Sequence, residues 1–169
     1  GASRIEALLA ARRRAALPLP PFGELDAAAL YALLRLRSAV FVVEQQCVFL
    51  DMDDRDAAAL HLLGDLASDG GATRLVAAAR LFAPGLCYPE ASIGRVVTAP
   101  DARGTGLGRA LMQRAIGECA ARWPSAPIRI GAQRYLERFY SELGFVIDGA
   151  PYLEDGIPHI EMVRAVAAT

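Results

Sequence analysis

The chain has 169 residues, 54% of them apolar and 22% charged. That size suits one domain able to bury roughly 70% of its unfolded surface without a disulfide or metal staple. Its 18 basic and 19 acidic residues nearly cancel, which excludes the positive excess of a nucleic-acid binder.

Residues 1–16 read as a short helix ending in the run Arg12-Arg13-Arg14, an extension ahead of a single domain at 17–169. The apolar stretch of that extension precedes its charge, the reverse of a secretory signal. Pro18, Pro20 and Pro21 forbid helix and allow at most an edge strand. Asp26 is placed to cap a helix reaching about residue 43, along which Leu30, Leu33, Leu34, Val40 and Phe41 recur at helical spacing. The acidic stretch Asp51, Asp53, Asp54 and Asp56 lacks the glycine and distal glutamate of a calcium loop, and it reads as solvated surface. It weakly favours a cationic partner molecule.

Strands follow at 61–66 and 75–82, joined through Asp69-Gly70-Gly71, with a third at 92–98. A glycine-rich turn at 103–108 opens a helix to about residue 122, stopped by Pro124 and Pro127. Next come a strand at 128–132 and a helix at 135–143 with Gly144 as its C′ cap. Strands at 145–147 and 159–164 close the chain; in the last, His159, Glu161 and Val163 share one face and Ile160, Met162 and Arg164 the other. The alternation predicts a mixed α/β or α+β layer fold.

Three dispersed cysteines, Cys47, Cys87 and Cys119, and two histidines give no zinc spacing, so no metal is expected. Sparse, odd cysteine suits a reducing cytoplasm. No uncharged run is long enough for a membrane-spanning helix, so no membrane partner is expected. The chain has no lysine, and this excludes a Walker phosphate loop, a Schiff base and a lysine nucleophile.

The sharpest local feature is Arg103-Gly104-Thr105-Gly106-Leu107-Gly108-Arg109, between a strand and a helix. Glycines there let the backbone turn tightly, and the first helical amides and the helix dipole favour an anion. Arg103 and Arg109 can add charge-assisted bonds. A Rossmann fingerprint fails, because the positions five residues after Gly104 and Gly106 hold Arg109 and Leu111. By itself the turn is also compatible with a plain helix start.

The R-x-x-G-x-G pattern, with Val96-Val97-Thr98 leading into it, resembles the pyrophosphate motif of the GNAT N-acetyltransferase superfamily. The later run Phe139-Tyr140-Ser141-Glu142-Leu143-Gly144-Phe145 resembles that superfamily's late helix. Around Leu36-Arg37-Ser38-Ala39-Val40-Phe41-Val42-Val43-Glu44-Gln45, at Ile93-Gly94-Arg95-Val96 and at Glu154-Asp155-Gly156-Ile157-Pro158-His159, the chain is similar to the ElaA-like subgroup. The resemblance spans about residues 25–165 and implies a GNAT-like mixed sheet of about six or seven strands, splayed in the middle and flanked by helices. It implies that acetyl-CoA lies in the opening, aligned by the backbone of Val96, Val97 and Thr98. The turn would take the pyrophosphate on Arg103, Gly104, Thr105, Gly106, Leu107, Gly108 and Arg109.

The implied chemistry is direct transfer of an acetyl group to a primary amine, on a small molecule or a protein. Tyr140 is the candidate acid toward the departing thiolate, although its spacing with Leu136, Phe139 and Leu143 also suits core packing. Glu44 is a candidate base; its alternatives are a pair with Arg37 or a solvent-facing position. Arg95 could orient an acceptor or a buried acid, or form a structural ion pair. Gln133 could bind acceptor or cap the following helix, and His159 could line the acceptor pocket or be structural. A longer acyl-CoA donor, a non-catalytic CoA-thioester binder and a homodimer are compatible with the same residues.

Overall fold

The computed structural model of the chain describes residues 17–67 and 70–168. The expected N-terminal helix and Asp69 of the first turn lie outside those residues. The carbonyls of Pro20 and Pro18 accept from the His61 and Leu63 amides at 2.9 and 3.0 Å, and Pro21 bridges Leu60. Prolines have no N–H to donate, so this segment can only accept along one edge.

The Asp26 carboxylate accepts from the Ala29 amide at 2.7 Å and caps helix α1 (Ala27–Arg37). The helix does not stay regular to residue 43. It continues as a π-helical segment over Ser38–Glu44, with Gln45 N–H reaching the Val40 carbonyl at 3.1 Å. Such widened turns are rare and concentrate at functional sites. Leu33, Leu36, Arg37 and Val40 are its buried side chains.

Seven strands form one sheet: β1 (Leu60–Ala67), β2 (Thr73–Phe82), β3 (Ala91–Thr98), β4 (Ile128–Gln133), β5 (Val146–Ile147), β6 (Tyr152–Glu154) and β7 (Ile157–Arg164). The order is β1-β2-β3-β4-β7-β5, with β6 also on β7. Only β3 and β4 run parallel. Residues 76–82 of β2 are all buried, so both faces of that strand are covered; the run of Ala77, Ala78 and Ala79 keeps the layers close. Helix α2 (Leu107–Arg122) buries Leu107, Leu111, Met112, Ala115, Ile116 and Cys119, one helical stripe, against β2 and β3.

Helix α3 (Glu137–Ser141) is shorter than expected, because residues 134–136 form a 3₁₀ turn ahead of it. Gly144 does end it, at φ +90°, and the Phe145 amide reaches back to the Tyr140 carbonyl at 3.1 Å. Strand β6 was not anticipated. Asp155 and Gly156, at φ +49° and +77°, turn it into β7; an Asp-Gly pair between short extended runs is the signal that could have found it.

The acidic stretch corrects another expectation. It is a loop, but not a solvated one. Asp51 pairs with Arg37 and Arg95, Asp53 with Arg80 and Arg95, and Asp56 with Arg37 and Arg80. Only Asp54, exposed at φ +62°, is left facing solvent. Asp51, Asp53 and Asp56, three of the four carboxylates that suggested a cationic partner molecule, are therefore paired internally with arginine.

Candidate active site

The β3–β4 ladder consists of Ala91 opposite Ile128 and Ser92 opposite Arg129. From Ile93 onward the two strands separate. The cause lies in β3, where Arg95 sits at φ +45° and the pairing with β2 slips between Ala78 and Arg80. One extra residue bends a strand and re-aims the residues beyond it. Past the bulge, Val97 and Thr98 still pair with Ala78 and Ala77 of β2. Val97 spends its N–H and C=O on Ala78, and Thr98 turns its own pair toward the opening, where it has no ladder partner on β4. Such an edge can take an extended ligand as a pseudo-strand.

At the end of β3 the chain makes a 3₁₀ turn (Pro100–Ala102) and then the glycine-rich turn. Gly104 and Gly106 have φ of +73° and +78°, a conformation that glycine adopts without a Cβ penalty. Gly106 is the residue before α2 and gives it no side-chain cap. The Thr105 hydroxyl donates to the Ala102 carbonyl at 2.7 Å and accepts from the Leu107 amide at 3.4 Å. Among the described residues, nothing accepts from the amides of Gly104, Thr105, Gly106, Gly108 or Arg109. A fan of free N–H groups at a helix N-terminus fits a phosphate-bearing anion. Gly108 needs no special conformation, since a Cβ there would make an ordinary 3.5 Å contact with the Thr98 hydroxyl.

The two arginines of the turn are both paired. Arg103 donates from Nε to the Thr98 carbonyl at 3.2 Å and from Nη1 to Glu44 at 2.8 Å. Arg109 reaches Glu142 at 2.5 Å with its guanidinium over the Phe139 ring. Each pair is partly exposed, so its hold is weak and an incoming polyanion can compete for the guanidinium.

Glu44 thus pairs with Arg103 and neither faces solvent alone nor joins Arg37, which binds Asp51 and Asp56. Gln133 does not cap the helix after it. Its amide exchanges bonds of 3.2 and 3.3 Å with that of Gln45, which lies in a stretch that carries the resemblance but was not singled out as a site residue. Gln133 is also the register partner of His159. His159 Nδ1 donates to the Ile157 carbonyl at 2.7 Å, which leaves Nε2 toward Glu154 at 3.4 Å. Tyr152 stacks on its ring at 5.7 Å, and burial, with Glu154 adding, pushes the Tyr152 phenol up to about 12. Cys47 donates to the Asp155 carbonyl at 3.2 Å. The end of α1, the end of β4 and the β6–β7 hairpin therefore meet. Arg95 is not among these groups: it is held by Asp51 and Asp53.

Tyr140 is buried beside Phe139 and Phe145, and burial raises its phenol above the usual tyrosine range. Among the described residues its hydroxyl has no hydrogen-bond partner. Core packing and a free polar tip thus coexist in one residue. Cys119 is inert, its thiol pushed up by burial to about 12.

The description "Acetyltransferase (GNAT) domain" belongs to the family model that matches residues 67–166. The chain is 41% identical over 145 residues to protein ElaA of Escherichia coli, covering 85% of this chain and 92% of that protein. It is equally identical over 145 residues to the UPF0039 protein sll0451 of Synechocystis, covering 86% and 92%. A crystal structure of an acyl-CoA N-acyltransferase from Pseudomonas aeruginosa matches with TM-score 0.80 and 38% identity over 89% of this chain and all of that one. The crystal structure of Escherichia coli ElaA matches with TM-score 0.77 and 38% identity over 88% and 99%.

Proposed function

The chain belongs to the GNAT acetyltransferase family, in the ElaA-like subgroup, and we propose that it moves an acetyl group from acetyl-CoA to a primary amine by direct attack within a ternary complex. The observation that carries this reading is the set of free amides of Gly104, Thr105, Gly106, Gly108 and Arg109 beside a strand edge with no ladder partner. The first feature suits a diphosphate and the second a pantetheine arm. The relatives' names support an acyl-CoA donor; the acetyl group and the amine are our reading of the site. The acceptor is a small-molecule or protein amine. The three cysteines are free, and no described helix is long and apolar enough to cross a membrane, which is compatible with cytoplasmic work.

Acetyl-CoA supplies an activated thioester; the chain must orient it, take a proton from the amine and steady the leaving sulfur. An alkylammonium with pKa ~10.4 is deprotonated in only about one molecule in 2,500 at pH 7, a cost of about 4.6 kcal/mol. The amine nitrogen forms the new C–N bond as the C–S bond breaks, and its proton passes to a base. Glu44 is the candidate base, directly or through water; its pairing with Arg103 must loosen for that role. The strand N–H beside Val97 that faces the opening, that of Thr98, is the candidate donor to the oxygen on which charge builds. Tyr140, kept protonated by burial, donates a hydrogen bond to the departing thiolate. Full transfer from a phenol above pKa ~10 to a thiolate near ~8.5 is uphill, so the hydrogen bond is the contribution. Gln133 and His159, with Gln45 and Tyr152, form the candidate acceptor wall.

Calorimetry with acetyl-CoA, followed by thiol release across a panel of amines, tests the reading. Binding and amine-dependent release of CoA are expected. No binding at millimolar acetyl-CoA would end it, and binding without release for any amine would leave a CoA-thioester sensor.

A further inference from the structure

Asp51 is the hub of a buried charge network beside the bulged strand. Its Oδ2 accepts from Arg37 Nε at 2.8 Å, and its Oδ1 lies 2.9 Å from Arg95 Nε. Its main-chain carbonyl accepts from the same two guanidiniums, at 3.2 and 3.0 Å. Asp51 is 3% exposed and Arg37 1%. One residue thereby ties helix α1, which carries Arg37, to the bulge of β3, where Arg95 sits.

A non-glycine residue at φ +45° inside a strand persists only where its surroundings over-determine it. Here the determinants are Asp51, Asp53 at 3.6 Å and the Phe49 ring under the guanidinium at 5.7 Å. The bulge separates β3 from β4 and turns the edge of residues 96–98 toward the opening. The π-helical segment that continues α1 delivers two adjacent residues to the two lips of that opening, Glu44 to Arg103 after β3 and Gln45 to Gln133 at the end of β4. Buried ion pairs are weak stabilisers, since desolvation offsets most of their attraction. What such a hub fixes well is geometry.

We infer that Asp51 is a positioning residue for the acyl-CoA site: through Arg95 it holds the bulge of β3, and through Arg37 it sets helix α1 against that strand, so that the open edge of β3 over residues 96–98 is offered to the ligand at the correct spacing. The inference rests on the acyl-CoA reading above. Asp51 touches neither ligand nor reacting atoms; it acts through the strand.

The test measures CoA affinity by calorimetry for Asp51→Asn and Arg95→Gln, well below their melting temperatures. It also tracks hydrogen exchange of residues 93–99 with and without CoA. Leu62→Val is the control; it removes a methylene from a fully buried position of β1, the edge strand beyond β2, away from the β3–β4 opening. Positioning predicts that both hub variants weaken CoA binding by about tenfold or more and lose CoA-induced protection at 93–99. Arg95→Lys should recover part of the loss. The control should lose thermal stability with unchanged CoA affinity. If Asp51→Asn does not fold, Arg95→Gln carries the test, because Arg95 is already 24% exposed. Folded hub variants that bind CoA like the parent would overturn the inference alone. A parent chain that binds no CoA would remove the acyl-CoA reading, and the inference with it.

Discussion

Gly106 combines two demands at one position. Its φ of +78° excludes a side chain on conformational grounds, and its amide is one of those left free for a ligand. Two substitutions separate the demands. Gly106→Ala adds strain of about 1–2 kcal/mol but no charge, so it should lower the melting temperature and retain measurable CoA binding. Gly106→Glu adds a carboxylate where the proposed reading would put the diphosphate and should abolish binding in calorimetry; equal affinity in the two variants would contradict the placement. Tyr140 invites a similar dissection. The residue is buried and its hydroxyl has no protein partner among the described residues, so Tyr140→Phe should leave the melting temperature unchanged or raise it. The same change should lower kcat by about a hundredfold if the phenol serves the leaving thiolate. A destabilised variant with unaltered kcat would assign Tyr140 to packing alone. Residue types and spacing pointed to the glycine-rich turn as a local pattern; for Tyr140 spacing alone gave core packing, and the resemblance of its run to the superfamily's late helix is what singled it out. The partners of Arg95 and Gln133 were not legible, because Asp51 lies 44 residues from Arg95 and Gln45 lies 88 from Gln133. Only the fold sets such distances.

Among the elements, the loop at 51–56 shows why a charge run is a poor guide to exposure. Strands β2 and β3 and helix α1 each bring it one arginine, and burial accompanies the pairing. The consequence is a pH dependence with a definite sign. Hydrogen bonding to Arg80 holds Asp53 well below its ordinary value of 3.8. Burial pushes Asp56 up, but hydrogen bonds from Arg37 and then Arg80 carry it below 3.8 overall. Each carboxylate therefore binds its proton more readily in the unfolded chain. The stability they contribute is complete above the unfolded value and is lost as pH falls through it toward the folded one. His61 acts in the same direction, because burial lowers it from 6.5 and it too takes a proton more easily when unfolded. Asp65, raised by burial, opposes them as a single group. The urea midpoint should therefore begin to fall below about pH 6.5 and fall more steeply below about pH 5. In Arg80→Gln the steeper part should flatten; a parent midpoint constant from pH 7 to 4 would refute the account. Most helices and strands were legible from periodicity and caps, as with Asp26 before α1 and Gly144 after α3. The π-helical turn at Ser38–Glu44 was not, because its residues carry the same apolar spacing as an ordinary helix.

At the scale of the whole molecule, the sheet is two halves joined by a short parallel ladder, Ala91 to Ile128 and Ser92 to Arg129. The order of elements made a mixed sheet legible, but no local signal says where two parallel strands part. A ligand lying between the halves, with its diphosphate on the turn before α2, would supply contacts that the polypeptide lacks. Because it binds only the folded form, CoA at about a hundred times its Kd should add about 2.7 kcal/mol of stability. For a chain of this length that corresponds to a rise of roughly 5–10 °C in Tm. The free amides of Gly104, Thr105, Gly106, Gly108 and Arg109 make a sharper demand, because in the proposed reading they would place much of the affinity on the diphosphate and not on the arm. Pantetheine, which has the arm without the diphosphate, should therefore give little or no thermal shift at a concentration where CoA gives the full one. Gly106→Glu should erase the difference between the two ligands. Equal shifts from CoA and pantetheine in the parent chain would move the binding energy to the β3 edge and leave the glycine-rich turn as a helix start.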